Sequence, residues 1–236
     1  MNSLELKSKN QKQLLGYKNK FLDIVKLYNQ KKLPNKIIFS GPNGIGKATF
    51  AYHLINYIFS KDEESCYDIN NLKIIDSNNS FKLLLSQTHP NFHLIDLVNE
   101  KKIIEISQIR EMIDYANKSA FNNKERIILI DNAENLNLSS SNALLKIIEE
   151  PNDNVFFILI FDNNKKIIET IKSRCIKFNF SLTFNQSLEI ANKIIGRDIY
   201  QMVNKDLIFH YNTVGDLINL ANFSTASKMN ILEMNL

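Results

Sequence analysis

A glycine-rich segment near the N-terminus has the residue types and the spacing that bind phosphate groups. The residues from Gly41 to Lys47 read GPNGIGK and match the pattern G-x-x-x-x-G-K. The three glycines Gly41, Gly44 and Gly46 would let the backbone close around a phosphate, and the lysine would reach the outer phosphates of a nucleotide. Because the chain has only 6 glycines, a chance match is rarer than average glycine usage implies. The segment therefore predicts a phosphate-binding loop.

The residue after Lys47 departs from this pattern. A Ser or Thr hydroxyl that holds Mg²⁺ would stand there, but the residue is Ala48. Thr49 comes one position late, which on a helix rotates its hydroxyl by about 100°. Two interpretations stay open: the loop is an empty structural scaffold, or it binds ATP, ADP or phosphate without hydrolysing it.

A carboxylate follows a strongly apolar segment later in the chain. Residues 126–130 read RIILI, as expected of a parallel strand that is buried on both faces, and Asp131 follows them. P-loop proteins place their Mg²⁺-associated carboxylate at this point of the fold. An isolated Asp after a strand is more often a turn or capping residue. Its combination with the glycine-rich loop favours the nucleotide-binding position.

Strand-like and helix-like segments alternate over most of the chain. Apolar runs predict strands at residues 37–39, 92–98, 126–131, 155–161 and 176–180. Helical spacing predicts helices at residues 49–59, 107–116 and 140–150, the second with Ser107 as its N-cap. Such alternation predicts an α/β fold in which crossover helices flank a parallel sheet.

The pattern changes after Phe180. Amphipathic helices are predicted at residues 188–195, 206–211, 214–221 and 226–234. We therefore predict two domains, a P-loop core of residues 1–180 and a small all-helical lid domain of residues 181–236.

Composition excludes several classes of protein. The 29 basic and 25 acidic residues give a net charge of +4, which permits a polyanionic partner without implying one. Cys66 and Cys175 are too far apart for a CxxC pair, and His89 and His93 have no Cys or carboxylate cluster beside them, so we expect no metal site. The chain has no signal peptide and no apolar run of about 20 residues, which predicts a cytoplasmic protein without a membrane contact. No Ser-His-Asp arrangement or paired acidic site indicates a hydrolase or nuclease.

Longer segments resemble one protein family. The sequence NALLKIIEEP (residues 142–151), followed by FFILIF and then by TIKSRC, resembles the clamp-loader branch of the AAA+ family of P-loop NTPases. The segments LPNKIIFSGPNGIGKATFA, HPNFHLID and ISQIRE resemble in particular the delta-prime type of subunit in bacterial DNA polymerase III. The resemblance extends from about Leu15 to Phe180, and more weakly to about Leu220.

This resemblance implies a function and a set of partners. Clamp loaders are pentamers that open a ring-shaped sliding clamp and place it on primed DNA, within the DNA-directed DNA polymerase holoenzyme of the bacterial cytoplasm and nucleoid. The expected partners are the other loader subunits (gamma/tau and delta), the clamp and the DNA. Nucleotide lies between neighbouring subunits, and the arginine of an SRC motif reaches the γ-phosphate of ATP-Mg held by the next subunit. The motif Ser173-Arg174-Cys175 would make Arg174 an arginine finger that acts in trans.

Further positions differ from an active motor of the family. Asn132 stands where a glutamate would polarise the attacking water, and Glu134 comes two positions later. Phe161, followed by Asp162, stands where a polar residue would sense the γ-phosphate. Residues 212–220 contain no Arg or Lys to sense nucleotide from the lid.

Together with Ala48, these differences favour a non-catalytic subunit whose arginine finger remains in use. One alternative is an ATP-hydrolysing gamma/tau-like motor in which Thr49 and Glu134 replace the missing groups. Another is a stand-alone P-loop enzyme, against which the SRC motif and the helical tail argue. Clamp-loader subunits usually continue into a third, collar domain, and no residues remain for one before Leu236, so we expect a fragment or a short relative.

Overall fold

The computed structural model describes residues 7–98, 101–118, 124–150, 152, 154–166, 168–211 and 213–226. The chain divides into two compact units. The first consists of the residues up to Ser40 together with Lys47–Asn179, and the second consists of Gly41–Gly46 together with the residues from Phe180 onward. The sequence predicted one boundary near residue 180. The structure adds that the glycine-rich loop groups with the C-terminal residues.

Among the described residues, the first unit contains the five predicted strands and the three predicted helices, together with three further helices that the sequence did not predict. Its strands are β1 (Lys36–Gly41), β2 (Phe92–Ile95), β3 (Arg126–Ile130), β4 (Val155–Asp162) and β5 (Ile176–Asn179). Its helices are α1 (Lys18–Asn29), α2 (Lys47–Phe59), α3 (Asn79–Leu85), α4 (Ile106–Asn117), α5 (Leu138–Glu149) and α6 (Glu169–Lys172). The strand β2 is shorter than predicted, because Asp96, Leu97 and Val98 follow it outside the sheet.

The strands form one five-stranded sheet in the order β2-β3-β4-β1-β5. The pairs β1 with β5, β2 with β3, and β3 with β4 are parallel. All five residues of β3 are buried, because helices cover both faces of a parallel sheet. This confirms the predicted fold class, an α/β P-loop fold with flanking helices. Because the strands are parallel, their carboxyl ends lie along one edge of the sheet, where the site residues follow them, and their amino ends lie along the other.

The N-terminus of α4 differs from the prediction. The predicted cap Ser107 lies inside the helix, and the N-cap is Glu105. The Glu105 side chain accepts a hydrogen bond from the backbone of Gln108, whose side chain accepts one from the Glu105 N–H at 3.0 Å. This capping box satisfies two backbone donors at once, which a single serine cap does not do.

The second unit is helical in its C-terminal part. Its helices are α7 (Phe184–Ile195), α8 (Lys205–Ile208) and α9 (Val214–Ala226). Thr183 caps α7 in a reciprocal pair with Gln186, and Gly196 ends that helix with a φ of 73°. These helices lie where the sequence predicted them. The helix predicted at residues 226–234 falls almost wholly outside the described residues.

Helix α2, which follows the loop, contains a buried histidine. The ring of His53 is fully buried, and its Nδ1 and Nε2 lie 2.8 Å from the Tyr67 hydroxyl and 3.1 Å from the Gln11 carbonyl. Burial lowers the pKa of His53 to about 4. The folded protein therefore holds this ring neutral at pH values where an unfolded chain would protonate it.

The pH dependence of stability tests this burial. The His53 pKa is lower in the folded state, so stability is present above the unfolded value of about 6.5 and is lost as pH falls toward about 4. As the pH falls from about 7.5 to about 5, we expect the contribution of His53 to lower the free energy of unfolding by about 2 kcal/mol. Urea unfolding of His53→Gln should lack this part of the dependence, whereas a variant of the exposed His210, His210→Gln, should keep it. An unchanged dependence in His53→Gln would contradict the prediction.

Candidate functional site

The glycines of the loop allow protein backbone to approach closely. In the second unit, Gly44 has a φ of +76°, and its carbonyl accepts a hydrogen bond of 2.9 Å from the Gly215 N–H at the start of α9. A Cβ at Gly215 would stand 2.8 Å from the Gly44 Cα, and one at Gly44 would stand 2.7 Å from the Thr213 hydroxyl. At Gly41 a Cβ would meet the Phe180 carbonyl oxygen at 2.5 Å. Contacts within the protein therefore account for Gly41 and Gly44 without a phosphate.

A side chain occupies one backbone donor of the loop. The Gly44 N–H donates to the Asn43 Oδ1 at 2.8 Å. Phosphate-binding loops work by directing such N–H groups at the anion. This donor is used inside the loop instead.

Lys47 is enclosed by protein in the first unit. It is only 5% exposed, and burial lowers the pKa of its ammonium group. Three carboxylates oppose that shift, in the order Asp162, Asp131 and Glu134. The structure therefore brings Lys47 and Asp131 together, as the sequence predicted, but it surrounds the lysine with more negative charge than expected. The charge that a nucleotide would neutralise is compensated by the protein itself.

Asp131 stands beside a second carboxylate. It follows the carboxyl end of β3, and Asp96 follows that of the neighbouring strand β2. Burial and the nearby Asp96 raise the pKa of Asp131 to about 6, although the Asn132 N–H donates to its Oδ1 at 2.9 Å. The Asn132 side chain donates to the Asp96 Oδ1 at 2.7 Å. The position at which a motor of the family carries its glutamate thus holds an amide that is directed at a carboxylate.

Glu134 has a structural role. Its side chain is 3% exposed, accepts a hydrogen bond of 3.1 Å from the Asp162 N–H, and lies 3.4 Å from the Lys165 ammonium. A general base must be accessible to the water that it activates. These contacts argue against Glu134 as the replacement base of a motor subunit.

The carboxyl end of β4 has Phe161 and a carboxylate where a motor of the family would have a polar sensor. Phe161 is buried, and the Lys172 ammonium lies 5.6 Å from its ring centroid. The next residue, Asp162, is the first of the groups that raise the pKa of Lys47. The residues of this site do not fit ATP-Mg, because Ala48 has no hydroxyl to hold the Mg²⁺ ion.

The SRC motif lies at the opposite edge of the sheet. Arg174 and Cys175 immediately precede β5, so they stand at the amino ends of the strands, whereas Lys47 follows the carboxyl end of β1. A strand rises by about 3.3 Å per residue, so the four paired positions of β1 and β5 alone span about 10 Å between the two edges. Within the first unit, the structure brings Lys47 and Asp131 together and keeps Arg174 apart from both.

The side chains of the SRC motif differ in exposure. Arg174 is 37% exposed, and its guanidinium contacts the Thr170 carbonyl at 3.0 Å and the Glu149 carboxylate at 2.7 Å. Ser173 donates its hydroxyl to the Thr170 carbonyl at 3.0 Å. Cys175 is buried, and this burial raises the pKa of its thiol to about 11. The cysteine is therefore a small apolar residue that supports the arginine rather than a nucleophile.

The sequence alone missed Asp96 and Glu149. The signal for Asp96 is that the sequences HLID and IILID place an Asp after two strands that pair in parallel. For Glu149 there is no comparable signal, because its contact depends on how α5 packs against α6.

The described residues offer no candidate for a metal site or a membrane-spanning helix. Among the residues that the structure describes, no three His, Cys, Asp or Glu side chains are grouped so that they could hold a metal ion. In the same part of the chain, no helix combines the length and the apolar character that crossing a membrane requires.

The fold and the site define a class of protein. The parallel sheet, the glycine-rich loop and the helical C-terminal unit are those of an AAA+ P-loop protein. The Holliday junction branch migration motor RuvB of Thermotoga maritima has the same fold, with a TM-score of 0.53 and 16% identity over 96% of this chain and 70% of that one. The sequence profile of the family described as "DNA polymerase III, delta subunit" matches residues 17–183. The chain belongs to this family.

Individual relatives include two types of DNA polymerase III subunit. Subunit delta' of Bacillus subtilis is 27% identical over 202 residues, which cover 83% of this chain and 57% of the relative. Subunit delta' of Pseudomonas aeruginosa is 28% identical over 58% of this chain and 40% of the relative. Subunit gamma/tau of Mycoplasma genitalium is 28% identical over 95% of this chain and 38% of the relative. The chain spans about half, or less, of the length of these relatives.

The contact between Gly44 and Gly215 can be tested by whether Gly215→Ala raises or lowers the free energy of unfolding. Alanine is favoured over glycine inside a helix by about 1 kcal/mol, so helix propensity predicts that Gly215→Ala stabilises the protein. We expect the opposite, a loss of about 1–3 kcal/mol, because the new Cβ overlaps the loop backbone. Urea unfolding followed by circular dichroism measures the difference, with Asn222→Ala in the same helix as the control for propensity. A Gly215→Ala protein as stable as the wild type would refute the close contact.

The interaction of Lys47 with its neighbouring carboxylates can be tested by how the stability of a Lys47→Met variant depends on pH. We expect Lys47→Met to lower the free energy of unfolding by about 3 kcal/mol at about pH 8, because it removes the buried cation beside Asp131 and Asp162. The loss should be smaller at about pH 5, where Asp131, whose pKa is about 6, is protonated. The exposed Lys32, changed to methionine, is the control and should have little effect at either pH. A loss that does not depend on pH would show that the carboxylates do not rely on this lysine.

Proposed function

We propose that this chain is a non-catalytic, delta-prime-like subunit of a bacterial clamp loader. In this proposal its own loop no longer hydrolyses ATP, and Arg174 acts on ATP-Mg held by the neighbouring subunit. The partners would be gamma/tau and delta subunits, a sliding clamp and primed DNA. This role would place the protein in the bacterial cytoplasm, at the nucleoid during replication.

The observation that carries the proposal is the position of Arg174 at the edge of the sheet opposite to Lys47. Because Arg174 precedes β5 while Lys47 follows β1, the two residues lie at opposite edges of the sheet, which supports an action of the arginine on nucleotide held by another subunit. Its guanidinium is partly exposed, as contact with another molecule requires. Phosphoryl transfer spreads negative charge over the equatorial oxygens, and an arginine supplied in trans stabilises that charge.

The surroundings of Lys47 support the part of the proposal that this chain does not hydrolyse ATP itself. A motor needs a hydroxyl after the lysine and a base after the strand carboxylate. In their places stand Ala48 and an amide directed at Asp96, while Glu134 is held by the Asp162 N–H and by Lys165. A gamma/tau-like motor remains the second candidate, because the relative from Mycoplasma genitalium matches nearly the whole chain.

Hydrolysis by the purified protein separates the two candidates. We expect no steady-state ATP turnover with Mg²⁺, with or without weak nucleotide binding in a calorimetric titration. Turnover that Lys47→Met abolishes, in a variant whose fold is verified by circular dichroism, would reassign the chain as a motor subunit.

Substitution of Arg174 tests the action in trans. In a loader reconstituted with the full-length protein, Arg174→Ala should lower the kcat of ATP hydrolysis at the site that it faces by roughly 10³-fold, because the transition state loses a guanidinium. Arg174→Lys should restore only part of the rate, since an ammonium lacks the planar fork. Arg197→Ala, which removes an exposed arginine of the second unit, is the control. Full activity of Arg174→Ala in an assembled complex would refute the proposal.

A further inference from the structure

Groups of the same chain hold the Arg174 guanidinium on two sides. Its Nη1 donates to the Thr170 carbonyl at 3.0 Å and lies 3.4 Å from the Ser173 hydroxyl. Its Nη2 lies 2.7 Å from the Glu149 Oε1. Thr170 and Ser173 belong to the same short turn as the arginine, whereas Glu149 is the last residue of α5. Glu149 is therefore the contact that fixes the guanidinium relative to a separate helix.

This ion pair is poorly suited to stabilise the fold. Arg174 is 37% exposed and Glu149 is 48% exposed, and pairs in such surroundings contribute little to the free energy of unfolding. The pair does restrict a long side chain with many rotamers, whose ordering on contact with a phosphate would otherwise oppose binding. Orientation is therefore the larger effect of this contact.

We propose that Glu149 is a positioning residue for the arginine finger. It holds the guanidinium in place before a nucleoside triphosphate of the neighbouring subunit arrives, so that less conformational freedom is lost in the transition state. A guanidinium has five N–H donors, and the three contacts of Arg174 leave donors for phosphate oxygens. The inference rests on the proposed role of Arg174 and goes beyond it by naming the residue that directs this arginine.

The chain offers a matched control for the test. Glu149 and Glu150 are adjacent and exposed, and they carry the same charge. Substituting either one changes the net charge of the subunit equally, so an effect of Glu149 alone reports its contact with Arg174. Glu149→Gln keeps the length and an acceptor oxygen but removes the charge, whereas Glu149→Ala removes both.

The experiment uses the full-length protein in the reconstituted loader, with ATP hydrolysis measured over a range of ATP concentrations. We expect Glu149→Ala to lower kcat by about 3- to 10-fold, as the loss of one oriented surface contact implies, and to change the KM for ATP by less than about twofold. Glu149→Gln should lie between this variant and the wild type, and Glu150→Ala should match the wild type. Gel filtration and thermal unfolding should show that assembly and stability are unchanged.

A double substitution separates positioning from a general structural role. In the Arg174→Ala background, Glu149→Ala should have no further effect on kcat, because the side chain that it directs is absent. An equal loss of kcat in both backgrounds would overturn the inference. So would a Glu149→Ala loader that hydrolyses ATP as fast as the wild type, or faster, since a faster rate would make Glu149 a competitor of the phosphate.

The failure of this inference is distinguishable from failure of the proposed function. If Arg174→Ala lowers kcat and Glu149→Ala does not, only the positioning role is refuted. If Arg174→Ala has no effect, the action in trans fails, and the positioning role fails with it.

Discussion

Parallel pairing of the strands is the constraint on which the polar site depends. It places the carboxyl ends of β2, β3 and β4 along one edge, and the sequence puts Asp96, Asp131 and Asp162 at those three ends. Like charges at such close positions repel one another, which contributes to the raised pKa of Asp131. Lys47 supplies a positive charge to the same edge. The buried polar site thus has more carboxylates than cations, and Lys47 has acidic neighbours within the protein itself.

The loop shows that one residue type can serve different physical requirements. Glycines in a phosphate-binding loop are needed because the backbone must approach an anion and adopt a positive φ. In this chain Gly44 has that φ, but what approaches its Cα is the backbone of Gly215, which also donates a hydrogen bond to the loop carbonyl. The motif therefore indicates a close backbone approach, and the structure shows that protein satisfies it at Gly44.

Regular elements were predictable from the sequence, and contacts between distant residues were not. Apolar runs located the strands because a doubly covered sheet leaves few polar positions in them. The predicted N-cap of α4, Ser107, was wrong because the reciprocal Glu105–Gln108 pair satisfies two backbone donors and the serine only one. The sequence could predict that Asp131 lies near Lys47, because both follow the carboxyl ends of parallel strands. The contact of Gly44 with Gly215, in contrast, joins residues far apart in the chain. No local pattern encodes such a contact.

Lys47 of the glycine-rich loop and Arg174 of the SRC motif lie in opposite kinds of surroundings. Lys47 is buried among carboxylates, so its charge has a large effect on the folded state. Arg174 is 37% exposed, and its contacts are worth little to the fold, although they define its orientation closely. A charged side chain that is ordered at the surface without stabilising the protein is most simply explained by a contact outside the chain. The physical difference between the two residues thus supports the proposal that Arg174 acts on a neighbouring subunit while the site of Lys47 no longer hydrolyses ATP.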